Sequence, residues 1–416
     1  MLHRSSIQTI RVAFVTLVLA ALVLRGEEPD SVPFPKTDSI KGLQVQMTSD
    51  ALALGIRHAT INVSLTPLLK LSDPFASYNE DYLRSLDAQI DPLAKAGVVV
   101  YAILLATPSK DPARDSIVLH PDARSDHKYT IAGFNSVTEQ GRRWFSGAVE
   151  MLARRWRGKV WGWIIGNELN SHWLWYNMGT KPMENAVAQY EQAFRLAHSA
   201  IRSVSQNART YISLDHHWKI SMAGISANEA APGRDFLDTF ARVVKERGDF
   251  DWNVAHHPYP EDLGNPRLWA DKNINSTDET IKVTFKNLEV LERHLMRQEL
   301  LYNGKPRRII LSEQGFHTLA TPEGEVLQAA AFVYAWEKCQ RVSLVDAFIY
   351  HRHVDHAHEG GVKFGLWTNK PGSVAEPERQ KKIYQVFKAA GTPAWAEVSA
   401  FALPICGVKS WEEAWK

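Results

Sequence analysis

The sequence contains very little cysteine and almost no net charge. Only Cys339 and Cys406 occur in its 416 residues, which excludes a disulfide framework and a thiolate metal site but leaves one bridge open. The balance of 48 Lys and Arg against 46 Asp and Glu, a net charge of +2, provides no strong electrostatic attraction to nucleic acid or to anionic membranes. We therefore expect an uncharged or weakly charged partner, and no nucleic acid.

The sequence also lacks an apolar run long enough to cross a membrane comfortably. Residues 12–24 are apolar apart from Thr16 and follow a basic start, but they are fewer than the about 20 residues of a membrane span. We predict a signal peptide over residues 1–26, with an uncleaved anchor as the alternative, and a Pro-punctuated linker over residues 27–38. Export would bring the mature protein to the periplasm or the cell exterior, without stable membrane association.

From about residue 39 onward, short β-branched apolar runs alternate with longer segments of helical period, which is typical of parallel βα units. The predicted strands are 42–47, 58–65, 98–105, 160–166, 209–214, 251–255, 308–311 and 344–350. The predicted helices include 80–96, 138–156, 184–204, 234–247, 280–301, 325–339 and a closing helix over 377–390. Because no linker divides this array, the sequence predicts a single (β/α)8 TIM barrel over residues 39–416, with a C-terminal extension, rather than a doubly wound sheet.

Polar and aromatic residues cluster where the predicted strands end, which is the face at which barrel enzymes carry their chemistry. They are Asn62, Asn167, Glu168, Asp215, His216, His217, Trp218, His256, His257, Pro258, Tyr259, Glu313, Gln314, His351, Arg352 and His353. The chain also has 14 Trp, 12 Tyr and 16 Phe, whose flat apolar faces suit stacking against sugar rings, although most of them must lie in the core.

Two carboxylates follow apolar strands in the same way. Glu168 leaves the nearly apolar run 160–166, where burial would raise the pKa of its carboxyl as a general acid requires, and Glu313 follows the run 308–311. The fourth and seventh strands of an eight-stranded barrel lie roughly opposite each other, so both side chains can reach one cleft. Retaining glycosidases need such a pair about 5 to 5.5 Å apart. A Glu that caps a helix or pairs with an Arg is the structural alternative for Glu168.

The motifs Gly166-Asn167-Glu168 and Ser312-Glu313 resemble those of clan A glycoside hydrolases, whose barrels carry an Asn-Glu acid/base after strand four and a Glu nucleophile after strand seven. The resemblance covers about residues 40–390. It implies a retaining double displacement, with Glu168 as acid/base and Glu313 as nucleophile. The chain also resembles an uncharacterised family of exported bacterial barrel proteins.

The same resemblance implies residues that contact the substrate. It implies that Asn167 binds the sugar 2-hydroxyl and that Tyr259, in a His-x-Tyr segment, touches the nucleophile. Clan members often carry an Arg near the end of strand two and a Trp at the end of strand eight, where this chain has Asn62 and His351. Trp367 is the candidate for the missing sugar platform. The predicted substrate contacts are Asn167, His257, Tyr259, Asn62, His217, Trp218, His351 and Trp367.

Two other functions remain open at this point. Imidazole and carboxylate groups suit zinc or a similar ion, so the histidines after strands six and eight also suggest a metal-dependent hydrolase. These candidate ligands are His256, His257, His351, His353, Asp355, His356 and His358. A cleft with Trp173, Trp175 and Trp218 could instead hold glycans without cutting them. The preferred hypothesis is a retaining glycoside hydrolase that acts on a poly- or oligosaccharide without cofactor or metal; the sequence does not specify the sugar, the linkage or the oligomeric state.

Overall fold

The computed structural model describes residues 28–124 and 131–415, and it contains a closed barrel of parallel strands. The barrel strands are β1 (Lys41–Gln44), β2 (His58–Ser64), β3 (Val99–Leu105), β4 (Val160–Ile165), β5 (Arg209–Leu214), β6 (Trp252–His256), β7 (Ile309–Leu311) and β8 (Val345–Tyr350). Neighbouring strands pair in chain order, and the barrel closes where Gly42 of β1 stands opposite Ile349 of β8. The single (β/α)8 barrel is therefore confirmed, and each predicted strand agrees to within about three residues.

Helices surround the barrel, and their apolar residues recur three or four apart. In the second helix, for example, Leu83, Leu86, Ile90 and Leu93 are buried. The helices are α1 (Thr48–Ala53), α2 (Glu80–Lys95), α3 (Pro112–Val118), α4 (Glu139–Arg155), α5 (Met183–Arg202), α6 (Gly233–Glu246), α7 (Glu289–Leu295), α8 (Gly324–Cys339), α9 (Lys382–Ala389), α10 (Trp395–Ser399) and α11 (Ala402–Cys406). Within the described residues, none of the helices combines the length and apolarity needed to cross a bilayer.

Two predicted helices were wrong in extent. Residues 280–301 do not form one helix; α7 and short helical turns on either side replace it. Ile281 and Val283 instead exchange backbone hydrogen bonds of 2.9 Å with the loop after β5, so tertiary pairing overrides the helical pattern. The closing helix begins only at α9, because residues 377–380 form β10 (Pro377–Gln380), which pairs with β9 (Trp367–Asn369).

Alternate strand residues fill the interior of the barrel. Val99, Tyr101 and Ile103 of β3 belong to this inner cluster, together with residues of β4 to β8. Gly162 of β4 makes room for the Tyr101 ring, since a Cβ atom there would lie 2.0 Å from Cδ1 of the tyrosine. The barrel is therefore a packed core, and its chemistry must lie at its ends.

The amino ends of the strands carry a charged cluster. Asp346 of β8 lies 2.7 Å from Arg209 of β5 and 2.5 Å from Arg308, which precedes β7. The guanidinium of Arg209 also stacks over Phe34, with 4.0 Å between its Cζ and the ring centroid. These contacts join β5, β7 and β8 at the end of the barrel that generally contributes stability rather than catalysis.

The cysteine and export predictions have different outcomes. Cys339 and Cys406 are both buried and free, so the bridge that the sequence left open is not formed. The predicted signal peptide or anchor, residues 1–26, lies outside the described residues.

Candidate active site

Glu168 stands in a tight turn directly after β4. Gly166 has a φ of 86°, and Glu168 itself has φ 41° and ψ 59°, in the left-handed region. A Cβ atom at Gly166 would lie 2.8 Å from the ring of Tyr176, so this position requires glycine for its conformation and for space. A left-handed non-glycine residue costs of order 1–3 kcal/mol and persists only where its surroundings impose that conformation.

Two alternate residues at the end of β5 hold this turn. The Glu168 N–H donates to Ser213 Oγ at 3.0 Å. The Asp215 carboxylate accepts hydrogen bonds from Asn170 Nδ2 at 2.6 Å and from Ser171 Oγ at 2.8 Å. The Asp215 N–H in turn donates to Asn170 Oδ1 at 3.0 Å. The turn is thereby attached to β5 both at Glu168 and just after it.

The second carboxylate, Glu313, follows β7 and approaches Glu168 closely. A carboxylate oxygen of each residue and a ring nitrogen of His257 all lie within 4.8 Å of one another. The Tyr259 hydroxyl donates to Glu313 Oε1 at 3.1 Å. Glu168 is 7% exposed, whereas Glu313 is more accessible. The structure thus brings together side chains from the ends of the fourth, sixth and seventh strands.

The His257 ring contacts the carboxylate of Glu168. Its Nδ1 lies 2.9 Å from Glu168 Oε1, and its Nε2 lies 3.1 Å from Ser312 Oγ and 3.4 Å from Ser213 Oγ. The residue is 2% exposed. Both ring nitrogens of His257, which the sequence assigned to substrate contact, therefore face protein groups and not the cleft.

Burial sets the protonation of this site. It raises the pKa of Glu168 from 4.5 to about 7, with Asp215 and Glu313 adding to the effect and His257 opposing it. Burial disfavours the charged form of His257, but the hydrogen bond to Glu168 and the nearby carboxylates outweigh it and raise the His257 pKa. Burial also raises the pKa of Tyr259 far above its ordinary value, which keeps the phenol protonated as a hydrogen-bond donor.

A chain of polar side chains links the ends of β1, β2 and β8. His351 Nδ1 lies 2.5 Å from Gln44 Oε1, and Gln44 Nε2 donates to Asn62 Oδ1 at 3.4 Å. The other ring nitrogen of His351 lies 2.6 Å from Glu359, which Arg352 also contacts at 3.0 Å. Burial opposes the charge of Glu359, but His351 and Arg352 outweigh it and lower the Glu359 pKa to about 2. The exposed Asn62 is the accessible member of this chain.

Two predicted aromatic contacts have other roles in the structure. Trp218 is 2% exposed and packs edge-on against His294, with 4.9 Å between ring centroids. It is a core residue, because the loop after β5 turns its side chain inward, and it presents little surface to a ligand. Trp367 is half-buried, donates from Nε1 to Asp50 Oδ2 at 3.0 Å and packs against Tyr384. Its indole is thus held by residues of α1 and α9.

The remaining predicted contacts lie beside Glu168. Asn167 precedes it and makes no side-chain hydrogen bond to the described residues, which leaves its amide available to a ligand. His217 Nδ1 lies 3.1 Å from Asp215 Oδ2, and the His217 ring stacks on His216. His217 therefore contacts Asp215, whose carboxylate binds Asn170 and Ser171 just after Glu168.

Sequence reasoning missed four residues of this region: Gln44, Ser213, Ser312 and Glu359. Ser213 and Ser312 could have been found from strand position, because each stands at or beside the carboxyl end of a predicted strand. Gln44 lies in the middle of the predicted strand 42–47, whereas the observed β1 ends at it. Glu359 lies in the long loop after β8, where no local pattern indicates that it folds back to His351.

The histidines that suggested a metal site are not gathered around one point. His353 Nε2 lies 2.8 Å from Asp50, and His256 Nε2 faces the Val283 carbonyl at 3.0 Å. Within residues 28–124 and 131–415, the group that is close enough to hold an ion is the carboxylate pair with His257.

Solved structures with a similar fold include glycoside hydrolases. A family 39 glycoside hydrolase from Bacteroides cellulosilyticus WH2 has a TM-score of 0.56 at 13% identity, over 87% of this chain and 66% of its own. A glucosidase from Croceicoccus marinus has a TM-score of 0.53 at 13% identity, over 88% and 69%. A family 1 β-glucosidase from Thermotoga maritima, in complex with isofagomine lactam, has 0.53 at 12%, over 83% and 86%. At these identities the likeness shows the shared fold alone.

Comparison of the sequence, rather than the structure, finds a family model and no curated protein. No curated protein matches this sequence. A family model does match, and it extends over residues 33–414, from before the first barrel strand to the C-terminal helices. The chain therefore belongs to the family of unknown function DUF5722.

Proposed function

We propose that this protein is a retaining glycoside hydrolase that cleaves O-glycosidic bonds of a poly- or oligosaccharide. The observation that carries the proposal is the approach of Glu168 to Glu313, whose nearest oxygens lie within 4.8 Å at the carboxyl ends of two barrel strands. Retaining enzymes need carboxyl groups about 5 to 5.5 Å apart, whereas inverting enzymes leave about 6.5 to 9.5 Å for a water molecule. The barrel shared with known glycoside hydrolases supports the same assignment.

In the first step, Glu313 attacks the anomeric carbon while Glu168 donates its proton to the leaving oxygen. The raised pKa of Glu168 keeps a proton available near neutral pH. As that proton leaves, His257 stabilises the resulting carboxylate through its Nδ1, 2.9 Å from Oε1. The hydrogen bond from Tyr259 fixes the attacking side chain. The products are a glycosyl ester of Glu313 and a free alcohol.

In the second step, the ionised Glu168 removes a proton from a water molecule. This water attacks the anomeric carbon and breaks its bond to Glu313, which leaves as a carboxylate. Glu168 regains its proton, so the enzyme returns to its starting state. Two successive inversions give a product with the anomeric configuration of the substrate.

The polar lining supports a glycan substrate with little charge. Asn167 offers an amide for the 2-hydroxyl, and the exposed Asn62 offers a polar group for another hydroxyl. The ring nitrogens of His351, a predicted substrate contact, face Gln44 and Glu359 instead. An open groove of about 820 Å³ lies along the loops after β2 and β3 at the same end of the barrel, lined in part by Ser64 and Thr107. A groove at this end of the barrel favours an oligomeric substrate whose further sugar units lie in it.

Variants of the two carboxylates test the proposal on a panel of aryl glycosides and polysaccharides. Glu168→Gln and Glu313→Gln should each lower kcat/KM on a responsive glycan by about 100- to 10,000-fold. Asp346→Asn, at the opposite end of the barrel, is the matched carboxylate control and should remain active. Full activity in either glutamate variant would exclude the assignment, and glycan binding without any cleavage would favour a carbohydrate-binding barrel.

The stereochemistry of the product tests the mechanism separately from the residues. Proton NMR during the first minutes of hydrolysis should detect the product anomer of the same configuration as the substrate, before mutarotation mixes the two. An initially inverted product would mean that Glu168 and Glu313 do not form a glycosyl ester.

A metal-dependent hydrolase is the second candidate, because Glu168, Glu313 and His257 are close enough to hold an ion. Under the main proposal, EDTA leaves kcat/KM unchanged. Loss of activity with EDTA and recovery with zinc would instead favour the metal mechanism.

We also propose that the protein is exported to the periplasm or the cell exterior. The basic start and the apolar residues 12–24 support this. Expression in a bacterial host should yield soluble exported protein whose N-terminus, by Edman sequencing, lies near residue 27. An intact N-terminus in the membrane fraction would favour the anchor.

A further inference from the structure

We propose that Asp215, at the end of β5, is a positioning residue for the acid/base: it holds the turn that presents Glu168 and does not itself touch the substrate. The inference rests on the proposed retaining function. It adds a residue directly after β5 that acts through Glu168 and not through the nucleophile.

The Asp215 carboxylate is buried and surrounded by protein partners. Its Oδ1 accepts from Asn170 Nδ2 at 2.6 Å and from the His217 N–H at 2.7 Å. Its Oδ2 accepts from Ser171 Oγ at 2.8 Å and lies 3.1 Å from His217 Nδ1. The residue is only 4% exposed. Each carboxylate oxygen therefore has two protein contacts. The charge stabilises the turn after Glu168 and the loop after β5.

The turn that Asp215 holds does not adopt an ordinary conformation. Glu168 has a left-handed backbone, which an L-residue keeps only where neighbouring contacts impose it. The contacts come from both sides: Ser213 Oγ holds the Glu168 N–H, and Asp215 holds Asn170 and Ser171. Since Ser213 and Asp215 are alternate residues at the end of one strand, β5 acts as a single rigid support.

The position of this support predicts a selective effect on catalysis. Proton transfer requires Glu168 within hydrogen-bond reach of the leaving oxygen, and a misplacement of about 1 Å can cost about 100-fold in rate. Replacing Asp215 leaves Asn170 and Ser171 without their charged acceptor, so the turn can relax. Glu313 and Tyr259 stand on other strands and keep their places.

The test compares two substrates of the same sugar that differ in their need for an acid. A dinitrophenyl glycoside expels a stable phenolate without protonation, whereas an alkyl glycoside needs the proton from Glu168. Asp215→Asn should lower kcat/KM for the alkyl glycoside by about 10- to 100-fold and leave that for the dinitrophenyl glycoside nearly unchanged. Glu168→Ala should show the same contrast, more strongly. Asp346→Asn should show no contrast.

An equal loss on both substrates in Asp215→Asn would assign the residue a merely structural role and overturn the inference. If circular dichroism shows that this variant does not fold, Ser171→Ala removes a single hydrogen bond to Asp215 and should give a smaller loss with the same contrast; no contrast there also overturns it. Absence of the contrast in Glu168→Ala would instead refute the proposed function.

Discussion

Glu168 and Glu313 are chemically identical side chains in different surroundings. Glu168 leaves the end of an apolar strand into a buried turn, and burial raises its pKa to about 7. Glu313 is more accessible and has one oxygen occupied by the Tyr259 hydroxyl at 3.1 Å. Different environments for two nearby carboxylates are the means by which glycosidases separate a proton donor from a nucleophile.

The first prediction at this scale concerns pH. Because the first step needs protonated Glu168, kcat/KM for an alkyl glycoside should fall as pH rises through about 7. The hydrogen bond and charge of His257 lower the Glu168 pKa, so His257→Ala should move this alkaline limb to higher pH. His256→Ala, at the neighbouring residue whose Nε2 faces a backbone carbonyl, is the control. If the alkaline limb of the pH profile does not move in His257→Ala, His257 does not lower the Glu168 pKa.

The second prediction concerns Tyr259. Tyr259→Phe removes only the hydroxyl that donates to Glu313, so the ring packing against Phe364 remains. A hydrogen bond to a charged group contributes about 1.5–3 kcal/mol, which corresponds to a loss of about 10- to 100-fold in kcat/KM. Steady-state kinetics measure the loss, and an unchanged melting temperature confirms that the fold is intact. Activity equal to that of the wild type would show that the hydroxyl does not serve the nucleophile.

The sequence predicted the strand positions of Glu168, Tyr259 and Glu313, because each follows an apolar run within one to four residues. It did not predict that Trp218 is buried or that Glu359 folds back to His351. The orientation of a loop side chain depends on contacts distant in the chain, which local pattern does not encode.

At the scale of secondary-structure elements, the barrel strands were predictable and one long helix was not. Strands β3, β4 and β7 are short and wholly apolar, as buried parallel strands often are. Residues 280–301 have helical periodicity, but Ile281 and Val283 pair with the loop after β5. Backbone hydrogen bonds between distant segments override the local helix propensity of these residues.

The prediction at this scale concerns the inner face of β4. Gly162→Ala would bring a methyl group to 2.0 Å from the ring of Tyr101, which is fully buried in the barrel interior. We expect the free energy of unfolding to fall by about 1–3 kcal/mol or more, measured by urea denaturation.

The matched control for that variant is Gly147→Ala in α4. Its added Cβ meets only the Tyr78 hydroxyl at 3.5 Å, and helix propensity should raise the free energy of unfolding by about 0.5–1 kcal/mol. Similar effects of the two substitutions would contradict the packing described for the barrel interior.

At the scale of the whole molecule, the two ends of the barrel have separate tasks. The carboxyl ends carry Glu168, Glu313 and their supports, whereas the amino ends carry the cluster of Asp346 with Arg209 and Arg308. This division follows from parallel strands, since all of them deliver their following loops to the same end.

Asp346→Asn tests the division. The variant weakens the charged hydrogen bonds from Arg209 and Arg308 that join β5, β7 and β8, so we expect the free energy of unfolding to fall by about 1–3 kcal/mol. At a temperature where the variant is folded, kcat/KM should match the wild type. A selective loss of activity without loss of stability would mean that the two ends are coupled.

The central claim is that Glu313 forms a covalent bond to the sugar while Glu168 donates its proton to the leaving oxygen. A 2-deoxy-2-fluoro glycoside of the responsive sugar, with dinitrophenolate as leaving group, should react in the first step and turn over slowly in the second. Mass spectrometry of the digested protein should then find one glycosyl adduct, on Glu313, and none in Glu313→Gln. An adduct on another residue, or none in an enzyme that hydrolyses the parent glycoside, would contradict the account.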